Sequence, residues 1–101
     1  MPFRDTLVGG VRVIALDRPP LNLLDLPAVK ALSEAFRDHD NARPLVVTSV
    51  NDVFSAGVDT KAFARYSPGE RTELAETISQ MTAQLLSITS PVVAAIPGHA
   101  M

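Results

Sequence analysis

The chemistry in this chain concentrates in one short run, Phe54-Ser55-Ala56-Gly57-Val58-Asp59-Thr60-Lys61. It falls between an apolar β-branched segment and a helix start. Small residues at such a junction let a ligand come close to the backbone. The unpaired N–H groups of a helix start form an electrophilic corner for an anion or a polarised carbonyl. Asp59 suits the N-cap of that helix. The same residues also build a plain tight β-to-α turn with a cap, and the pattern alone leaves both readings open.

Other residue types offer less. Ser55 invites a nucleophile reading, but the Gly-x-Ser-x-Gly frame is absent. His39 and His99 are far apart in sequence with no assignable partner. His39 is expected at a helix C-terminus, where the dipole favours it. Glu70, Glu73 and Glu76 resemble a ligand cluster, but at a helix start they complement the dipole or face solvent. No metal site is expected. The chain has no cysteine, which removes disulfides, thiolate ligands and a Cys nucleophile and fits a cytoplasmic setting. The net charge of −2 gives no basic stripe for nucleic acid. Apolar runs such as Pro91 to Pro97 are too short to span a membrane, and the N-terminus lacks the basic-then-apolar order of a secretory signal.

The elements that must position the run follow from periodicity. Phe3 to Val8 and Val11 to Leu16 read as strands joined by Gly9-Gly10, a hairpin turn. A dinucleotide-binding turn would need a helix there, not a strand. Arg18-Pro19-Pro20 ends the hairpin, and Leu21 to Leu26 is an apolar loop. The spacing of Val29, Leu32 and Phe36 predicts a helix from Pro27 to His39. Asn41 to Pro44 is a turn, and Leu45 to Val50 reads as a strand covered on both faces. Asn51 to Val58 reads as a loop and Asp59 to Tyr66 as a short helix. Ser67-Pro68-Gly69-Glu70 has the form of a capping box. It opens a helix carrying the stripe Leu74, Ile78, Met81, Leu85 and Ile88, which Ser90-Pro91 stops. Val92 to Ile96 reads as a second buried strand, followed by a turn at Pro97-Gly98-His99. Strands flanked by helices indicate an α/β layer with a parallel sheet.

Three stretches carry a family resemblance, in order along the chain. Phe54 to Lys61 is similar to the signature of the crotonase superfamily, the enoyl-CoA hydratases and isomerases. Val13 to Leu24, with Arg18-Pro19 and Leu21-Asn22-Leu23-Leu24, resembles the family's opening strand and Asn-Ala-Leu loop. Ser90 to Ala100 resembles the strand and turn leading to the second half of the family site. The resemblance implies an α/β fold, the N-terminal part of a crotonase-like (ClpP/crotonase) β-β-α spiral: a β-hairpin, then parallel strands alternating with helices. Residues 1–101 would form one such partial domain.

The resemblance also implies a function. Family members hold an acyl-CoA thioester oxygen between two backbone N–H groups, an oxyanion hole for an enolate-like intermediate. Carried over, the first donor is the Val58 N–H. Ala56, Gly57, Val58, Asp59, Thr60 and Lys61 would line the CoA site. Lys61 would approach a CoA phosphate, or stand as a solvated helix lysine. Asn22, Leu23 and Leu24 would line the pantetheine path, or plug the first helix. His99 would be structural. No cofactor is expected beyond the coenzyme A of the substrate itself. Val58 is bulkier than the family's usual small residue, and Thr60 stands where an aliphatic residue is common.

The family's second donor and its acid–base residues would fall past Met101. The chain alone is therefore expected to be inactive as a hydratase. Family members assemble as trimers or pairs of trimers, so a homo-oligomer is implied for the whole fold. The alternative is a non-catalytic fragment or self-associating interaction module.

Overall fold

The computed structural model describes residues 2–97, and 99–100 as backbone. The element order is β1 (Phe3–Val8), β2 (Val11–Leu16), α1 (Leu26–Arg37), β3 (Leu45–Ser49), β4 (Val53–Ser55), α2 (Thr60–Arg65), α3 (Pro68–Leu86), β5 (Val92–Ala94) and β6 (His99–Ala100).

Gly9 and Gly10 have φ of 57° and 81°. That is the backbone a two-residue hairpin turn demands. It sets the antiparallel register Phe3↔Leu16 through Val8↔Val11. Strand β2 then pairs in parallel with β3, and β3 with β5, giving the order β1-β2-β3-β5. A second sheet holds β4 and β6 in parallel. The parallel pairings require crossovers, which α1 and the α2–α3 segment supply.

One face of the larger sheet is dry. Ile14, Leu16 and Leu45 meet Leu32 and Phe36 of α1, with Phe3 closing the edge. Met81 and Leu85 of α3 and the following Ile88 pack against this cluster. Leu74 joins Leu26 and Val29 in a second cluster between the helices. Period-two alternation puts Val13, Val46 and Val93 on the opposite face, where they are half-buried or exposed.

The helix starts follow from their caps. Asp25 accepts from the Ala28 N–H at 3.0 Å, so α1 begins at Leu26 with Pro27 in its first turn. The capping box at α3 is complete: the Glu70 N–H donates to Ser67 Oγ at 3.1 Å, and the Ser67 N–H donates to Glu70 Oε1 at 3.0 Å.

Several expectations are corrected. Strand β4 lies inside the stretch read as a loop, because its partner β6 is more than forty residues away in sequence. Strand β3 is buried only at Leu45, since α1 and α3 pack on the same face. Strand β5 is exposed along its length, an edge strand paired only with β3. Helix α3 stops at Leu86 and caps at Ser87, three residues before Ser90.

His39 lies beyond the α1 cap at Asp38 and is buried. Its Nε2 donates to the Arg43 carbonyl at 2.8 Å, which leaves Nδ1 to accept from Arg12 at 3.3 Å. These contacts tie the end of α1 to β2 and to the turn before β3. Gly98 and Met101, and the side chain of His99, lie outside the described residues, so the turn expected at Pro97-Gly98-His99 does too.

Candidate functional site

Two loops meet at the ends of the strands. The Ala56 N–H donates to the Leu21 carbonyl, the Leu24 N–H to the Gly57 carbonyl, and the Asp59 N–H to the Leu24 carbonyl, each at 2.9 Å. The last two form a one-residue parallel bridge between Leu24 and Val58. The bridge uses the groups on either side of Val58, the Gly57 C=O and the Asp59 N–H. Backbone alternation then turns the Val58 N–H away from Leu24. No described residue accepts a hydrogen bond from it. Gly57 has φ of 91°, a conformation strained for any side chain. The turn that aims the Val58 N–H therefore needs glycine one residue earlier.

Buried polar groups lock this arrangement. Asn22 is 1% exposed with φ of 49°. Its amide nitrogen faces Ser49 Oγ (2.8 Å), Asn51 Oδ1 (3.1 Å) and the carbonyls of Val53 (2.8 Å) and Phe54 (3.1 Å). Its Oδ1 accepts from the Arg18 N–H at 2.7 Å. The Asn22 side chain is thus turned wholly inward, where it shapes the loop but offers no group outward. Ser55 is also buried: Oγ donates to the Asn22 carbonyl and accepts from the Gly57 N–H, both at 3.0 Å. It braces the turn and is no exposed nucleophile.

Asp59 caps α2 by accepting from the Ala62 N–H at 3.0 Å. That bond, aided by Arg18, holds its carboxyl below the usual carboxylate range. Arg18 links the parts. It donates to the Leu23 carbonyl at 2.6 Å and pairs with the cap carboxylates of Asp25 (3.3 Å) and Asp59 (3.4 Å). Sequence patterning shows Arg18 only as the end of a hairpin. No local signal finds this role, because Asp59 is 41 residues away.

Three hollows surround the bridge. A narrow one of about 110 Å³ lies between Arg18, Pro19, Pro20, Leu21 and Leu23. A second, of about 370 Å³, reaches Gly57 from the apolar core through Leu24, Phe54, Met81 and Leu85. The third, of about 350 Å³, is bounded by Val58, Thr60 and Phe63 on one side and by Arg71, Leu74 and Ile78 of α3 on the other. Thr60 and Lys61 are exposed, and Ala56 is half-buried.

The expected residues Asn22, Leu23, Leu24 and Ala56 through Lys61 thus come together at one junction. The glutamates do not form a set: Glu70 serves the capping box and Glu73 pairs with Lys30 at 2.5 Å. Among the described residues no group of three His, Cys, Asp or Glu side chains could hold a metal ion.

Comparison with known proteins bears on this junction. Residues 6–101 match the family described as enoyl-CoA hydratase/isomerase. The chain belongs to that family. It is 32% identical over 97 residues to the peroxisomal fatty acid beta-oxidation multifunctional protein AIM1 of Arabidopsis thaliana, a match covering 91% of this chain and 14% of that protein. Among solved structures, DspI of Pseudomonas aeruginosa superposes with a TM-score of 0.81 at 29% identity, over 99% of this chain and 40% of that one. The enoyl-CoA hydratase of Bacillus anthracis superposes with a TM-score of 0.85 at 23% identity, over 97% of this chain and 40% of that one. At that identity the likeness concerns the fold, which is crotonase-like. The chain spans about two fifths of these structures. No helix among its described residues is long and apolar enough to cross a membrane.

Proposed function

We infer that this chain forms the thioester-facing wall of an acyl-CoA site and supplies one oxyanion donor, the Val58 N–H. The observation that carries this is the donor itself: a peptide N–H with no acceptor among the described residues, aimed away from the bridge beside an apolar hollow. Such a fixed donor stabilises charge developing on a thioester oxygen without reorganisation, at about 3 kcal/mol for a well-placed one. The narrow hollow at Arg18 to Leu23 suits the pantetheine arm. The hollow between α2 and α3 suits the acyl group, with Ala56 to Lys61 between them. The substrate class is an acyl-CoA thioester, the reaction enolate chemistry of the hydratase or isomerase kind, and no separate cofactor takes part.

Proton transfer is a different matter. Val58 and Gly57 face hollows lined by no carboxylate and no histidine. The nearest acid in sequence is Asp59, whose two oxygens are held by Ala62 and Arg18 and whose lowered pKa makes it a weak base. The 101-residue chain by itself is therefore expected to give no hydration of crotonyl-CoA above background.

The donor is tested by amide NMR. Titrating butyryl-CoA should move the Val58 N–H resonance downfield, and a thioether analogue lacking the carbonyl should not move it. An unmoved Val58 resonance at saturating butyryl-CoA would overturn the reading. A second reading, self-association, is favoured by the exposed edge strand β5, where Val93 and the following Ile96 are 56% and 54% exposed. A monomer at all micromolar concentrations by light scattering would exclude it.

A further inference from the structure

The hollow between α2 and α3 has an apolar lining with two exceptions, Thr60 and Arg71. Thr60 stands beside Val58, and its hydroxyl makes no hydrogen bond to the described residues. Arg71 lies across from it on α3, exposed, with its guanidinium carbon 4.8 Å from the centroid of the Phe63 ring. Its one hydrogen bond is a long contact of 3.4 Å to the Ala64 carbonyl. Five of the seven arginines, Arg4, Arg12, Arg18, Arg37 and Arg43, pair with a carboxylate. Arg71 has none within ion-pair distance among the described residues. The adjacent glutamates are used elsewhere, Glu70 by Ser67 and Glu73 by Lys30. Its place over the Phe63 ring holds the guanidinium at the hollow while leaving most of its five donors free. A planar fork held in this way, facing an apolar hollow, is suited to a carboxylate.

We propose that the acyl group received here ends in a carboxylate, and that Arg71, oriented by Phe63, is the residue that selects it. This deepens the acyl-CoA reading above and rests on it. The thioester end lies at Val58 and the distal end at Arg71. The hollow of about 350 Å³, roughly a dozen water volumes, admits a chain of a few carbons between them. A purely aliphatic acyl group of that length leaves the guanidinium unpaired.

The test is a matched pair of thioesters, freshly prepared succinyl-CoA and butyryl-CoA, titrated calorimetrically into the 101-residue chain with free CoA as the control for succinyl-CoA lost to cyclisation. The pair shares the CoA moiety and the chain length and differs in the terminal charge. Succinyl-CoA should bind roughly tenfold more tightly, with a preference that shrinks as salt rises. Arg71→Met should abolish the preference, so that the two esters bind alike. Arg71→Lys should keep part of it, and circular dichroism confirms that both variants fold. If butyryl-CoA binds and succinyl-CoA binds no better, the carboxylate proposal is overturned and the thioester site stands. If Arg71→Met weakens both esters equally, Arg71 serves a CoA phosphate and the proposal is again overturned. If neither ester binds, the thioester site itself falls and the proposal with it.

Discussion

Asn22 directs its whole side chain to holding two loops in register, and that gives it a sharp energetic signature. Asn22→Ala leaves the Phe54 carbonyl without its side-chain donor, takes one of two donors from the Val53 carbonyl, and places a Cβ residue with no local hydrogen bond at φ of 49°. The expected loss is about 3 kcal/mol, combining unsatisfied buried acceptors with left-handed strain. Asn22→Gly removes the same bonds but not the conformational freedom, so it should unfold at higher urea than Asn22→Ala, by about 1 kcal/mol. Equal midpoints would show that the backbone at 22 is not strained.

Asp59 adds a pH dependence. Its pKa is lowered on folding by the Ala62 N–H and then by Arg18, so the stability it contributes is fully present above the unfolded carboxylate value of about 3.9. That stability is lost as pH falls below this value and through the lowered folded one. Asp5, lowered by its hydrogen bonds with Arg12, acts in the same window. Urea melts between neutral pH and pH 3 should therefore show a flatter acid limb for Asp59→Asn than for the parent. Parallel limbs would remove Asp59 as a contributor.

At the scale of elements, what was legible in the sequence was whatever depends on near neighbours. The Gly9-Gly10 hairpin, the start of α1 and the capping box at Ser67 are written within a few residues, and the fold realises them as the sequence predicts. Ser67→Ala should cost about 1 kcal/mol, seen as a lower melting temperature without change in the sheet's circular dichroism. What was not legible depends on distant neighbours. Strand β4 is defined by β6, and the burial of β3 and β5 is set by both helices packing on one face. Val92-Val93-Ala94 has the composition of a covered strand, but composition does not say which strand will be last in a sheet. The junction divides in the same way. Gly57, Val58 and Asp59 are recognisable in one short run, whereas Arg18 and Ser55 act through partners that only the fold brings near.

The whole molecule is a one-faced structure. Its dry cluster is small, and Ile14 and Leu45 within it are wholly inaccessible. Leu45→Ala should therefore cost about 3 kcal/mol, a large fraction of the 5–15 kcal/mol typical of a domain. Its urea transition is expected to begin in the absence of denaturant, and a midpoint shared with the parent would show that this cluster does not carry the fold. The chain spans about two fifths of the solved structures it resembles, and the half-buried face of Val13, Val46 and Val93 is the part of the sheet that contributes least to this core.

The Leu24–Val58 bridge has a consequence for how the site can vary. Because the donor proposed at position 58 belongs to the main chain, any Val58 substitution except proline leaves it in place. On that proposal a saturation-mutagenesis map would show tolerance at position 58 to every residue but proline. Intolerance would gather at Gly57, which sets the angle, and at Asn22, whose side chain is turned inward. In such a map the proposed donor would look like the least important residue of its own neighbourhood.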